Sequence, residues 1–217
     1  INSKTDVGAV YLIKNIDGKS GVYDLVNTNN YDVRWNGGRA SDFIGSMGST
    51  ALPSGSMVQL ENVDNGAYAN DLLIGGTLID VNATNNGAAY LIKNIDSLSG
   101  NKDLNCLCNF DVRFYGPAGG DQFSGTGTNG KSMKLINADN GSYANDLLVA
   151  ARIADVNAKT DTGAVYLFKN IDSLSGLIAA SAADVFWNGG AAADRLAGGL
   201  LPAGEVMQFL NIDNGAY

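Results

Sequence analysis

The chain has 217 residues, a formal net charge of −8 and no His, and it carries 28 Gly, 25 Asn and 20 Asp against two Glu (Glu61, Glu205) and three Pro. Helix surfaces favour Glu, Lys and Arg while tight turns favour Gly, Asn and Asp, so a helical bundle is close to excluded and a turn-rich β protein is expected. The missing imidazole removes His-based triads and His-ligated zinc or iron, the scattered Lys and Arg form no stripe for nucleic acid or anionic membrane, and no apolar run approaches the roughly 20 residues of a membrane span.

Strands are expected where short apolar runs rich in β-branched or aromatic residues are bounded by Gly, Asn or Asp. The first is Gly-Ala-Val-Tyr-Leu-Ile-Lys-Asn-Ile-Asp at 8–17, followed by Tyr-Asp-Val-Arg-Trp-Asn-Gly at 31–37. Next come Gly-Ser-Met-Val-Gln-Leu-Glu-Asn-Val-Asp at 55–64 and Asn-Asp-Leu-Leu-Ile-Gly at 70–75. From there the blocks return in order: 87–96 copies 8–17, 110–116 copies 31–37, 130–139 copies 55–64 and 145–150 copies 70–75. The runs at 163–172, 183–189 and 204–213 continue the series. The steps are 79 and 76 residues for the first block and 75 and 74 for the third.

One repeat therefore carries four strands, at 56–63, 71–76, 88–95 and 110–115 in the best-defined copy. Four antiparallel strands repeated radially make a propeller blade, whereas a stacked β-solenoid has a shorter period per coil. The expected fold is all-β, a propeller-like array of about three blades. Its boundaries are a partial blade over 1–38 (strands three and four), blades over 39–117 and 118–190, and the start of another over 191–217.

The chain opens at 1–8 in the register of 156–163 and closes at 211–217 in the register of 62–68. Eleven of twelve strands of three blades are thus expected, which reads either as a segment of a longer propeller or as copies that join head to tail. Cys106 and Cys108 lie one residue apart, where a bridge is strained. They read as an incidental local pair or as a redox or metal pair. Met57, Met133 and Met207 hold equivalent strand positions and are expected in the core, while Arg34 and Arg113 are expected to be solvated or bonded to turns.

The order of these elements resembles the FG-GAP repeat, the blade motif of integrin α-subunit propellers. Asp121-Gln122-Phe123-Ser124-Gly125 and Asp42-Phe43-Ile44-Gly45 stand for the Phe-Gly element, and Ser132-Met133 starts the next strand. Asn137 to Asp146 fills the position of the calcium loop, Leu147-Leu148-Val149-Ala150 follows it, and Gly163-Ala164-Val165-Tyr166-Leu167-Phe168 closes the motif. The Gly-Ala-Pro that follows the family's Asp-Leu-Leu strand is replaced by Gly75-Gly76-Thr77 and Ala150-Ala151-Arg152.

In that family an Asp/Asn turn presents oxygens from positions one, three, five and nine to one Ca²⁺, with Gly permitting the bend. The resemblance implies that Asn62, Asp64 and Asp71 supply the first, third and last ligands, allowing one inserted residue. Asn137, Asp139 and Asp146 form a second set, and Asn211 and Asp213 begin a third. Gly66 and Gly141 leave position five without a side-chain oxygen, so each loop offers two carboxylates at most and binds Ca²⁺ weakly. The same residues also read as a turn held by Asx hydrogen bonds without a metal. Asp155, Asn157 and Asp161, with Asp80 and Asn82, read as turns first.

The resemblance implies an extracellular or cell-surface, non-enzymatic interaction or adhesion module, calcium-stabilised, with a protein or glycan surface ligand. A self-assembling subunit of a filament, sheath or surface layer is the alternative. A glycan-binding lectin, with Trp35, Tyr115 and Trp187 as stacking platforms, is a third reading.

Overall fold

The computed structural model describes residues 4–45, 57–125, 130–139, 141–197 and 204–205. The chain is all-β: among the described residues there are fourteen short strands, six 3-10 turns and no α-helix. None of its helical turns is long and apolar enough to cross a membrane among those residues.

The first repeat contributes β1 (Ala9–Leu12) and β2 (Val33–Asn36). The second contributes β3 (Val58–Glu61), β4 (Asp71–Gly76), β5 (Ala88–Ile92), β6 (Gly100–Asp103) and β7 (Val112–Tyr115). The third contributes β8 (Gly130–Lys131), β9 (Met133–Ile136), β10 (Asp146–Ala151), β11 (Ala164–Phe168), β12 (Gly176–Ala179) and β13 (Val185–Asn188). A last strand, β14 (Gly204–Glu205), pairs in parallel with β8.

Within the second repeat β3, β4, β5 and β7 lie side by side and antiparallel, with Leu73 opposite Gln59 on one side and Leu91 on the other. Strands β9, β10, β11 and β13 repeat that order. The four strand segments expected from the repeat thus hold β3, β4, β5 and β7.

A fifth strand was not expected. Between their third and fourth strands the second and third repeats each leave their own sheet and join the one before. β6 runs parallel to β2, and β12 runs parallel to β7. Each addition begins with a backbone bond from Gly: Gly100 N donates to Asp32 O at 2.8 Å and Gly176 N to Asp111 O at 2.8 Å. Leu104 N then donates to Asn36 O at 2.9 Å.

The central strands β4, β5, β10 and β11 are buried on both faces. On β4, Leu72 and Ile74 join Val33 and Trp35 in one cluster, while Leu73 turns the other way and joins Val149 and Phe168 in the next. Successive side chains of a strand point to opposite faces, so a strand filled on both sides reads as an unbroken apolar run, as β4 and β10 do. Gly87, at φ +76°, starts β5 where the backbone of Phe123 crosses it; a Cβ there would lie 2.2 Å from Phe123 O. The same close crossing recurs at Gly8 with Ile44 and at Gly163 with Leu196, which explains why the repeated strand opens on Gly.

Met57 and Met133 are buried as expected, and Met207 lies outside the described residues. One other placement differs from expectation. Arg113 is buried, not solvated: its guanidinium lies 5.3 Å from the Phe110 ring centroid and 5.9 Å from that of Tyr90, and Arg34 lies 5.9 Å from Tyr31. Guanidinium groups are weakly hydrated and stack on aromatic faces, which lets them enter a sheet of this kind. Cys106 and Cys108 are bonded to each other, with Cα atoms 5.2 Å apart, inside the ordinary span of a bridge.

Asp42 and Asp121 are buried, two residues before the buried Ile44 and Phe123. Asp121 Oδ2 accepts from Ala118 N at 2.9 Å, and Asp42 Oδ2 from Arg39 N at 2.7 Å. Burial raises both carboxyls above their ordinary value, and the backbone bonds only partly offset it. A carboxyl whose folded pKa is raised takes up a proton in the folded state first, so stability grows as pH falls through that raised value and levels off below the ordinary one. Against an Asp121→Asn reference, the parent chain should therefore gain stability between neutral pH and about pH 4, as read from urea midpoints. A difference that is flat or of opposite sign would refute this.

Candidate cation site

The loop from β3 to β4 is closed by its own side chains. Asn62 Nδ2 donates to Gly66 O at 2.6 Å, and Gly66 N donates to Asp64 Oδ1 at 3.2 Å. Asp64 Oδ2 accepts from Asn94 Nδ2 at 2.8 Å, which ties the loop to the turn after β5. Asn70 Nδ2 donates to Asp96 Oδ1 at 2.8 Å and to Asn94 Oδ1 at 3.2 Å. These bonds fix the amide of Asn70 with its oxygen turned inward.

Three oxygens then face one point. Measured from where a Cβ at Gly66 would stand, Asp64 Oδ1 is 3.3 Å away, Asn70 Oδ1 3.6 Å and Asn62 Oδ1 3.8 Å. The side-chain oxygens of Asn62 and Asn70 are buried and have no hydrogen-bond donor. Asn70 itself is about nine-tenths buried. An unpartnered buried acceptor costs free energy, so two beside one spot leave room for a donor or a cation there.

The loop from β9 to β10 repeats the arrangement. Around Gly141, Asp139 Oδ1 is at 3.3 Å, Asn137 Oδ1 at 3.7 Å and Asn145 Oδ1 at 3.8 Å. Asn145 is buried and its oxygen again lacks a donor, while its Nδ2 donates to Asp172 Oδ1 at 3.0 Å. Asp139 Oδ2 accepts from Asn170 Nδ2 at 3.0 Å. Here Gly141 N donates to Asn137 Oδ1 at 2.8 Å, so one oxygen of this copy is already engaged.

Of the residues expected from sequence, Asn62 with Asp64 and Asn137 with Asp139 come together. The third oxygen of each cluster belongs to Asn70 or Asn145, one residue before the expected Asp71 and Asp146. Asp71 is fully buried, and its carboxylate accepts from Val63 N at 2.7 Å, Asp64 N at 3.2 Å and Asn94 N at 2.9 Å. Asp146 holds Ala138 N at 2.5 Å and Asn170 N at 2.8 Å in the same way. Both carboxylates brace the loop base. Asn211 and Asp213 lie outside the described residues.

Asn70 and Asn145 carry a sequence mark, since both precede Asp-Leu-Leu in an Ala-Asn-Asp-Leu-Leu run, but the family pattern has its ligand at the Asp. Asp96 is drawn below the ordinary carboxylate value by the amide of Asn70 and then by the Tyr68 hydroxyl, so it stays charged beside the cluster. Among the described residues no group of three or more His, Cys, Asp or Glu side chains gathers as a metal site, and the clusters here are mainly amide. Asp80 and Asp155 are engaged in turns, accepting from Asn85 N at 2.6 Å and Asp161 N at 2.8 Å.

Comparison of the chain with protein-family models, characterised proteins and solved structures finds no match.

Proposed function

We propose that the chain is an extracellular, non-enzymatic interaction module of the FG-GAP kind, with its four-stranded sheets as propeller blades and a Ca²⁺ in each loop between the first and second strands. The observation that carries the calcium part is the oxygen cluster built twice, at Asn62, Asp64 and Asn70 and at Asn137, Asp139 and Asn145, each with a buried amide oxygen that lacks a donor. Hard oxygen donors without sulfur or imidazole suit Ca²⁺. Each loop places a single carboxylate among these oxygens, so water must complete the shell and binding should be weak. Mg²⁺ demands a tighter octahedron and should bind less well. The Cys106–Cys108 bond suits an oxidising compartment.

Calorimetric titration is the test. Two Ca²⁺ should bind with Kd of about 10⁻⁴ to 10⁻³ M, the range of extracellular modules. At tenfold excess over Kd each site should add about 1.4 kcal/mol of stability. Asp64→Asn with Asp139→Asn should abolish both effects and leave the metal-free fold intact. No binding heat and no shift in unfolding midpoint at about 10 mM Ca²⁺ would refute the proposal.

A self-assembling subunit is the second reading, favoured by the outer edge of β13, which pairs with no strand among the described residues. The lectin reading loses one of its platforms, because Trp35 is fully buried between sheets.

A further inference from the structure

The first and third repeats each carry one half of a contact that the interior makes twice. At both interior junctions a segment that starts on Ser-Gly lies parallel to the last strand of the preceding sheet, as β6 does on β2 and β12 on β7. The first repeat has the same segment, Ser20-Gly21-Val22-Tyr23-Asp24-Leu25. Gly21 has a φ of +96°, in the same left-handed range as Gly100 and Gly176 at +76°. Yet among the described residues the segment joins no sheet. Val22 is fully exposed. Ile16 is 68% exposed, whereas its counterparts Ile95 and Ile171 stand at 4% and 0% because a neighbouring sheet covers them.

The other half is at β13. It is the outer strand of its sheet, and no fifth strand lies along it among the described residues. Trp187 is 47% exposed, while Trp35 and Phe114 at the same position of β2 and β7 are 0% exposed. A polar contact is also left open among the described residues. Lys14 Nζ crosses one junction to Asp96 O at 2.6 Å, and Lys93 Nζ crosses the next to Asp172 O at 2.9 Å. Lys169, at the same place in the third repeat, donates through its backbone N to Asp184 Oδ2 at 2.7 Å.

We infer that a second copy of this chain docks head to tail, with its Gly21–Asp24 segment adding to β13 as a parallel fifth strand. The two interior ladders set the register: Gly21 opposite Val185, Val22 opposite Phe186, Tyr23 opposite Trp187 and Asp24 opposite Asn188. By the same rule Gly21 N donates to Asp184 O, Leu25 N to Asn188 O, and Lys169 Nζ reaches Asp17 O. Tyr23 covers Trp187, and Ile16 enters the space between the sheets. The two surfaces differ, so the contact is heterologous and propagates into a ring or an open filament. An unpaired strand edge favours such addition through its free backbone groups. The inference stands apart from the cation reading, because neither loop cluster takes part.

The test is sedimentation of the full chain over a wide concentration range in chelator, so that calcium has no influence. The parent chain should associate progressively. Tyr23→Pro removes the middle donor of the added strand and lies in an exposed segment outside every sheet; Trp187→Asp spoils the receiving edge. Each should weaken self-association on the order of tenfold or more. Mixed together, the two variants should form a one-to-one dimer and nothing longer, because one intact head then meets one intact tail. Should Trp187→Asp fail to fold, Tyr23→Pro alone decides. A parent chain that stays monomeric at every concentration overturns the inference. So does a Tyr23→Pro chain that associates as the parent does, or a mixture of folded variants that stays monomeric.

Discussion

Asp71→Ala should destabilise the chain by about 3–5 kcal/mol, a loss read directly from urea or thermal unfolding without added calcium. The carboxylate is fully buried and receives three backbone N–H groups, from Val63, Asp64 and Asn94. Alanine leaves all three donors without an acceptor in a place water does not reach. Asp71→Asn should fall between, since one amide oxygen can serve some of the donors while its NH2 faces another. Asp64→Asn should have little effect on the metal-free fold, because its oxygens are partly solvent-facing and the amide keeps an acceptor toward Gly66 N. Two acids seven residues apart in one loop thus separate into a brace and a candidate ligand. If Asp71→Ala proves as stable as the parent, the brace assignment fails.

Trp35→Ala should cost about 3–5 kcal/mol, while Trp187→Ala should cost well under half as much. The two residues occupy the same place in the repeated Asp-Val-x-Trp-Asn-Gly motif. Trp35 is sealed between the first and second sheets, with β6 lying along its strand, and its removal opens a cavity that the neighbouring Ile74 and Tyr90 cannot fill. Trp187 has no such cover among the described residues. Equal losses at the two positions in the isolated chain would show that the third sheet is covered after all, and would remove the open face on which head-to-tail docking depends.

Much of the sheet order was legible because the same blocks recur with Gly, Asn and Asp at the same offsets, and a threefold recurrence outweighs the ambiguity of any single short run. The runs Asp-Leu-Leu-Ile-Gly and Asp-Leu-Leu-Val-Ala read as strands, and β4 and β10 are strands there, buried on both faces. The fifth strands were not legible. Gly100-Asn101-Lys102-Asp103 has neither alternation nor β-branched residues, and its pairing comes from the backbone of another repeat. The recurring Ser-Gly at 20–21, 99–100 and 175–176 was its only mark.

At the site, the family resemblance pointed to Asn62, Asp64 and Asp71, whereas the oxygen beside the first two belongs to Asn70. Adjacent residues at a strand entrance point to opposite sides, so a shift of one residue exchanges a loop-facing oxygen for a backbone acceptor. Arg113 was misjudged for a related reason: a charged residue in a strand reads as solvent-facing unless Tyr90 and Phe110 are known to lie beside it.

The one-way loan of β6 and β12 bears on how the molecule could be divided. A repeat excised at its sequence boundaries would carry a strand with no sheet to join and a sheet short of its outer strand. Excision therefore damages two sheets at once, and the smallest piece able to complete even one sheet must include part of its successor. Folding should follow the same direction. The sheet of the second repeat is complete only when β12 has emerged from the third, so during synthesis each sheet waits for the chain that follows it.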